Sequence, residues 1–295
     1  MKILVIGNVT YDITMPVYEY PLENTKNRVH DRIECGGGPA ATAAYLLGKW
    51  GAETYFAGIV GNDLYGSNIK KEFEKVNVNT KYMEFNNNFT TTSSFILANV
   101  ETGSRTTFAY RPSDTKMQPF ELDFKPDIIL IDGQEYDRSV ELIKKYPEAV
   151  TIIDAGRDRK EIIELCKMVN WVVCSKEFAE KVTEIKINYN DKTTLDNLYT
   201  KMKEIFKNNV VVTLEEKGWL YNYNIISSVK LKPVDSTGAG DIFHGAFTYY
   251  LSKGYNIEKV LKLANIAGAI SVSRIGTRNS IPTLEEMEEV YNEFK

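Results

Sequence analysis

The sequence predicts an α/β fold: a mostly parallel sheet with helices on both faces, plus a small β lid. Three observations carry that prediction. Strand-length apolar runs alternate with helix-length patterns along most of the 295 residues, the order that builds parallel sheets. Two segments, 10–33 and 90–111, break the alternation with polar, aromatic and period-two character. No internal repeat, low-complexity run or linker divides the chain, so a single domain spanning 1–295 is expected, with those two segments as its lid.

Taken in order, Lys2–Ile6 is a nearly continuous apolar run closed by Gly7, as expected of a strand buried on both faces. The segment 39–50 (PAATAAYLLGKW) is rich in Ala and Leu and reads as a helix that stops near Gly51. Strand is expected at 54–60, helix at 66–76, strand at 127–131 and helix at 138–146. Strand, helix and strand follow at 150–154, 160–168 and 171–174, then helix at 195–207 and strand at 210–214. Helical patterns run from Asp241 through Tyr250 and over 257–273. A last one begins at Thr283, with Glu286 at the capping-box spacing. Within 90–111, Phe95, Leu97 and Asn99 alternate with Ser94, Ile96, Ala98 and Val100, with a turn at 101–104. Both faces carry apolar groups, so an antiparallel lid is expected, with a homodimer joined through 10–33 and 90–111 that Phe95→Asp or Ile96→Asp would dissociate.

Composition excludes several classes. Lys+Arg 36 against Asp+Glu 40 gives a net charge of −4 with no basic stretch, so neither nucleic-acid nor anionic-membrane binding has an electrostatic basis. The longest apolar runs, 3–6 and Ile128–Ile131, are strand-sized, far short of the ~18 residues of a membrane span. Cys35, Cys166 and Cys174 are too few and scattered for a disulfide framework, and His30 and His244 too few for a His-rich zinc site. Met1-Lys2 leads straight into a strand pattern with no leader-like segment, so a reduced, cytoplasmic protein is expected.

The stretch that points most directly to chemistry is Asp235-Ser-Thr-Gly-Ala-Gly-Asp241, followed by an amphipathic helix. Gly238, Ala239 and Gly240 lie where a loop becomes a helix N-terminus, so their unpaired amides and the helix dipole would favour an anion. A carboxylate beside an anion hole is costly unless it has a task. The natural task for Asp241 is to take a proton from an attacking hydroxyl while the amides hold a transferring phosphoryl group. Neither a GxGxxG nor a Walker A spacing is present. His244, three residues on, shares the helix face of Asp241 and is expected to be structural. Cys35 is expected to be inert.

These residues resemble the C-terminal signature of the ribokinase-like (PfkB) carbohydrate kinases, and three further matches follow the order of that family. They are Gly36-Gly-Gly-Pro-Ala-Ala-Thr-Ala43, Val60-Gly-Asn-Asp-Leu-Tyr-Gly66 and Ser273-Arg-Ile-Gly-Thr-Arg-Asn-Ser-Ile-Pro282. The resemblance implies ATP and Mg²⁺ as cofactors and a small carbohydrate (aldose, ketose or sugar derivative) as acceptor. It implies Asp241 as base, with Gly238, Ala239 and Gly240 as anion hole. Asp12, Gly37, Gly38, Thr42 and Arg105 would meet the sugar, and Arg111 could reach a substrate oxygen. Ser175, Thr213, Glu215, Gly218, Gly240 and Asn265 would lie around ATP. Asp235, Gly276 and Ser280 would hold a monovalent cation such as K⁺, and lids would pair into a homodimer. Three departures stand out. Thr42 replaces an Asn, Glu215 replaces the first Gly of a nucleotide-loop pattern, and Ser175-Lys-Glu-Phe178 stands where many members carry NxxE, as in the ketohexokinase branch. A non-catalytic sugar- or nucleotide-binding protein on the same fold, and a nucleoside kinase, stay open as alternatives.

Overall fold

A computed structural model describes residues 1–111 and 115–293. Along the chain run β1 (Lys2–Ile6), β2 (Thr10–Val17), β3 (Ile33–Gly37), α1 (Pro39–Lys49), β4 (Glu53–Gly61), α2 (Leu64–Lys75), β5 (Asn79–Asn86), β6 (Ser93–Asn99) and β7 (Arg105–Tyr110). Next come β8 (Ile128–Ile131), α3 (Tyr136–Lys145), β9 (Val150–Ala155), α4 (Lys160–Cys166), β10 (Trp171–Ser175), α5 (Lys176–Thr183), α6 (Lys192–Ile205) and β11 (Asn209–Thr213). The chain continues with β12 (Trp219–Tyr221), β13 (Asn224–Ile226), α7 (Ala239–Ser252), α8 (Ile257–Ser271) and α9 (Leu284–Glu293).

Nine strands form one sheet in the order β13-β12-β11-β10-β9-β8-β1-β4-β5. It is parallel from β11 to β5, and only the β11–β12–β13 edge is antiparallel. The two faces of β1 explain the layers. Ile3 and Val5 point into a core shared with α1, α2, α7 and α8, whereas Leu4 and Ile6 point into one shared with α3, α4, α5 and α6. All four side chains are fully buried, as a strand sandwiched between helix layers requires. Every strand and helix expected in the α/β body is present, with ends moved by a few residues. The capping box forms as read: Thr283 N–H donates to Glu286 Oε2 at 2.7 Å and Glu286 N–H to Thr283 Oγ1 at 3.3 Å.

The second sheet, β3-β2-β6-β7, is formed by the segments expected to make a lid, and three features of it correct the expectation. It is mixed, because β2 and β6 run parallel. Residues 18–32 are irregular and exposed, so 10–33 is two strands with a long loop between them. Ile96 and Ala98 are buried inside the subunit, at 2% and 0% exposure, whereas Phe95 and every residue of β7, Phe108 included, are exposed. Ile96 is therefore not a surface residue.

Candidate active site

The loop after residue 233 enters α7 through Gly238, whose φ of +76° is a conformation that glycine adopts at little cost. The first backbone bond of the helix runs from Ile242 N–H to Gly238 O at 2.8 Å. The amides of Gly240 and Asp241, in the first turn, thus precede the regular ladder. A side-chain atom built on Gly240 would meet nothing within 4 Å, so the helix start faces open space. Asp241 is partly buried. Burial foremost, then the Asp154 carboxylate, pushes its carboxyl up to about 7, opposed by His244 and Arg105.

Asp12, on β2, is 5% exposed. Thr10 Oγ1 donates to its Oδ1 at 2.7 Å, Thr277 Oγ1 donates to its Oδ2 at 3.0 Å, and Ser94 also donates. Burial raises its pKa, opposed by those hydroxyls. Asp12 lies close enough to Asp241 for the two carboxylates to repel. A methyl on Gly37 would lie 1.9 Å from Asp12 Oδ2, and one on Gly36 would lie 2.3 Å from the Arg278 guanidinium. Gly38, at φ +90°, precedes α1, and a methyl there would lie 2.8 Å from Asn8 O. Thr42 is fully buried on α1, and its hydroxyl has no hydrogen-bond partner among the described residues. Arg105 donates from Nη1 to Ser236 Oγ at 2.6 Å, and Ser236 N–H donates to Gly103 O at 3.2 Å, so the lid turn is fastened to the loop before α7. Arg111 reaches Asn8 Oδ1 at 3.5 Å and lines a cavity of about 460 Å³ with Glu135, Arg138 and Arg159, a cavity that neither Asp12 nor Asp241 lines.

On the other side, Ser175 and Thr213 stand in register at the carboxyl ends of β10 and β11. The Ser175 hydroxyl caps α5 by accepting from Phe178 N–H at 3.1 Å. Glu215 has φ +53°, the left-handed conformation that explains why glycine suits this position. Gly218, at φ +101°, is tighter: a methyl there would lie 1.9 Å from Ile226 O. Asn265 Oδ1 accepts from Val229 N–H at 3.2 Å. Asp235 is 1% exposed and accepts from Thr237 N–H at 2.9 Å and Gly276 N–H at 3.0 Å, while Ser280 Oγ donates to Thr277 O at 2.8 Å. Beside them the buried Thr237 hydroxyl has no partner among the described residues. No group of three or more His, Cys, Asp or Glu stands together as a metal site among the described residues.

Asp132 has no counterpart in the sequence expectations, and Arg278 and Asp63 lie in the 273–282 and 60–66 motifs without an individual role assigned there. Asp132, just past β8, accepts from Asn8 N–H and Gln134 N–H at 2.8 and 2.9 Å and from Ala40 N–H at 3.2 Å, tying β1, β8 and α1 together. An acid at the carboxyl end of an apolar strand was the available signal. Arg278, buried against the Tyr45 and Phe73 rings, pairs with Glu72 at 2.7 Å, and Glu72 also accepts from Gly36 N–H at 3.0 Å. Asp63 caps α2 and accepts from Thr91 N–H and Oγ1 at 2.8 and 2.7 Å, so the Val60–Gly66 motif anchors the lid. Burial pushes the Cys35 thiol up to about 11, in keeping with an inert residue.

Residues 1–284 match the model of the pfkB family carbohydrate kinases. A ribokinase of Staphylococcus aureus (strain COL) is 26% identical over 98% of this chain and 99% of its own. A deoxyribokinase of Salmonella typhi is 25% identical over 98% of each. The structure of Arabidopsis thaliana ribokinase complexed with ribose and ATP superposes with a TM-score of 0.79 at 21% identity, covering 98% of this chain and 97% of that one. The structural likeness establishes the fold, and the family match over nearly the whole chain establishes the rest: this chain belongs to the pfkB family of carbohydrate kinases, enzymes that transfer a phosphoryl group from ATP to a hydroxyl of a small sugar.

Proposed function

We propose that this kinase phosphorylates a pentose or similarly small sugar held between Asp12 and Asp241. The observation that carries the reading is the setting of the two carboxylates: Asp12 is surrounded by hydroxyl donors, and Asp241 stands in the first turn of a helix whose start faces open space. Asp12 retains acceptor capacity beyond its internal bonds for sugar hydroxyls. Gly37 and Gly38 let backbone approach the sugar, Thr42 contributes its unpaired hydroxyl beneath them, and Arg105 holds the lid down. Asp241 takes the proton of the attacking hydroxyl, while the amides of Gly238, Gly240 and Asp241 receive the developing phosphoryl charge; the Ala239 N–H, expected to join them, donates instead to Ser236 O at 3.4 Å. The ribokinase and deoxyribokinase relatives support a pentose over larger acceptors.

ATP would lie across Ser175, Thr213, Glu215, Gly218 and Asn265, reaching Gly240 with its terminal phosphate. Mg²⁺ bound with the nucleotide would neutralise the charge of its phosphates. The buried Asp235 carboxylate and the orphaned Thr237 hydroxyl fit a K⁺ held with Gly276 and Ser280. The chain acts as one domain over 1–295 in the cytoplasm, as a homodimer joined at the lid face of Phe95 (44% exposed) and Phe108 (60% exposed). Among the described residues no helix is long and apolar enough to cross a membrane. The deciding experiment measures ADP release from ATP against ribose, deoxyribose, fructose and a nucleoside. Turnover with a free pentose supports the proposal; preference for a nucleoside, or no turnover with any acceptor, overturns it.

A further inference from the structure

His244 lies on α7 one turn beyond Gly240 and Asp241 and is 4% exposed. Its Nδ1 is 2.6 Å from Gly240 O and 3.3 Å from Asp154 Oδ2, and its Nε2 is 3.1 Å from Val173 O. Every polar atom facing the ring is thus an acceptor: two backbone carbonyls and a carboxylate. A neutral imidazole has one donor and one acceptor nitrogen, so one of its lone pairs would be set against a carbonyl oxygen. Only a ring with a hydrogen on both nitrogens satisfies the contacts, and Asp154, at the end of β9, supplies the opposite charge that such a ring needs when buried.

We propose that Asp154 and His244 form a buried ion pair that positions the phosphoryl-transfer site, the imidazolium clamping the Gly240 carbonyl and so fixing the peptide that carries the Asp241 amide. The inference rests on the kinase reading of Asp241 and adds two positioning residues to it. A hydrogen bond from a cation to Gly240 O polarises the Gly240–Asp241 peptide, which strengthens its N–H as a donor to an incoming anion. It also fixes the first turn of α7 against β10 through Val173. The charges facing Asp241 are Asp154 on β9, His244 on its own helix, Asp12 on β2 and Arg105 on β7. Those facing Asp154 include His244, with Asp132 and the Cys174 thiol nearby. Within this set the two members of the pair act on Asp241 with opposite sign.

The chain has two histidines, and His30 is exposed, so protein labelled with ¹⁵N-histidine gives a spectrum with an internal reference. At pH 7.5 both His244 nitrogens are expected in the protonated range, and Asp154→Asn should convert the ring to a neutral tautomer. A neutral His244 in the unmodified protein would overturn the proposal. This spectrum decides the ion pair whichever acceptor the kinase uses, so the failure of the pair and of the kinase reading are told apart. In kinetics, His244→Gln should lower kcat on the order of 10–100-fold with little change in KM for ATP. It should also move the acid limb of the rate profile to higher pH, because the cation that lowers the Asp241 carboxyl is gone. An unchanged kcat with an unmoved limb would leave the pair a packing feature and overturn its positioning role.

Discussion

The Asp12 carboxylate fills the space that a side chain on Gly37 would need, with Oδ2 only 1.9 Å from the position of a methyl group there. Asp12 is fixed by Thr10 and Thr277 and cannot retreat. Gly37→Ala is therefore expected to displace the sugar acceptor while sparing the nucleotide side. The measurement is steady-state kinetics. Loss on the order of 10²-fold in kcat/KM for the sugar, with KM for ATP little changed, is the expected outcome.

Asp241→Asn should bind ATP and lose turnover by about 10²–10⁴-fold, the range for removal of a general base. Because the carboxyl is pushed up to about 7, the rate of the unmodified enzyme should fall as pH drops through that value. The same shift has a stability sign. The folded state favours the protonated acid, so its contribution is fully present below the unfolded carboxylate range and is lost as pH rises toward 7. Thermal unfolding at pH 8 should find Asp241→Asn more stable than the unmodified chain, with the difference vanishing near pH 4.

Glu215 and Gly218 share a loop and the left-handed region but differ in surroundings. Glu215→Gly relieves a strained backbone and should stabilise the fold by up to about 1 kcal/mol. Gly218→Ala sets a methyl against Ile226 O and should cost about 2 kcal/mol or more. Denaturant unfolding of the two variants gives both signs in one experiment.

Phe95 and Phe108 face each other across β6 and β7. Phe108→Asp should convert a dimer to a folded monomer in sedimentation velocity and weaken sugar binding more than ATP binding. Ile96→Asp, by contrast, buries a charge inside the subunit and should unfold the lid. A monomeric, fully active unmodified protein would exclude the dimer.

Replacing K⁺ by tetramethylammonium should lower the rate if Asp235, Gly276 and Ser280 hold a cation. Asp235→Ala should make the two salts equivalent. Equal rates in the unmodified enzyme would remove the cation from the mechanism.

The α/β body was legible because its strands are apolar on both faces and its helices amphipathic. What escaped notice was polar, short or set by long-range pairing. The edge strand β5 (NTKYMEFN) carries little apolar signal. The helix α5 follows directly on β10, with Ser175, an expected nucleotide contact, serving as its cap. The parallel β2–β6 register depends on residues about 80 positions apart, which no local pattern encodes. In the site, Asp241, the glycines around it and Asp12 could be read from motifs, whereas Arg278 and Asp154 act through contacts that exist only after folding.

Thr277 donates to Asp12 from 265 positions away. The sugar pocket proposed at Asp12 would thus be completed by one of the earliest strands and one of the last loops to be synthesised. A growing chain can assemble most of its sheet well before it can recognise a sugar. A ligand that binds the finished pocket therefore cannot rescue an early folding defect. It can only hold together molecules that have already brought the two ends of the sequence into contact, and a cell could tune the lifetime of this enzyme through sugar supply only after that closure.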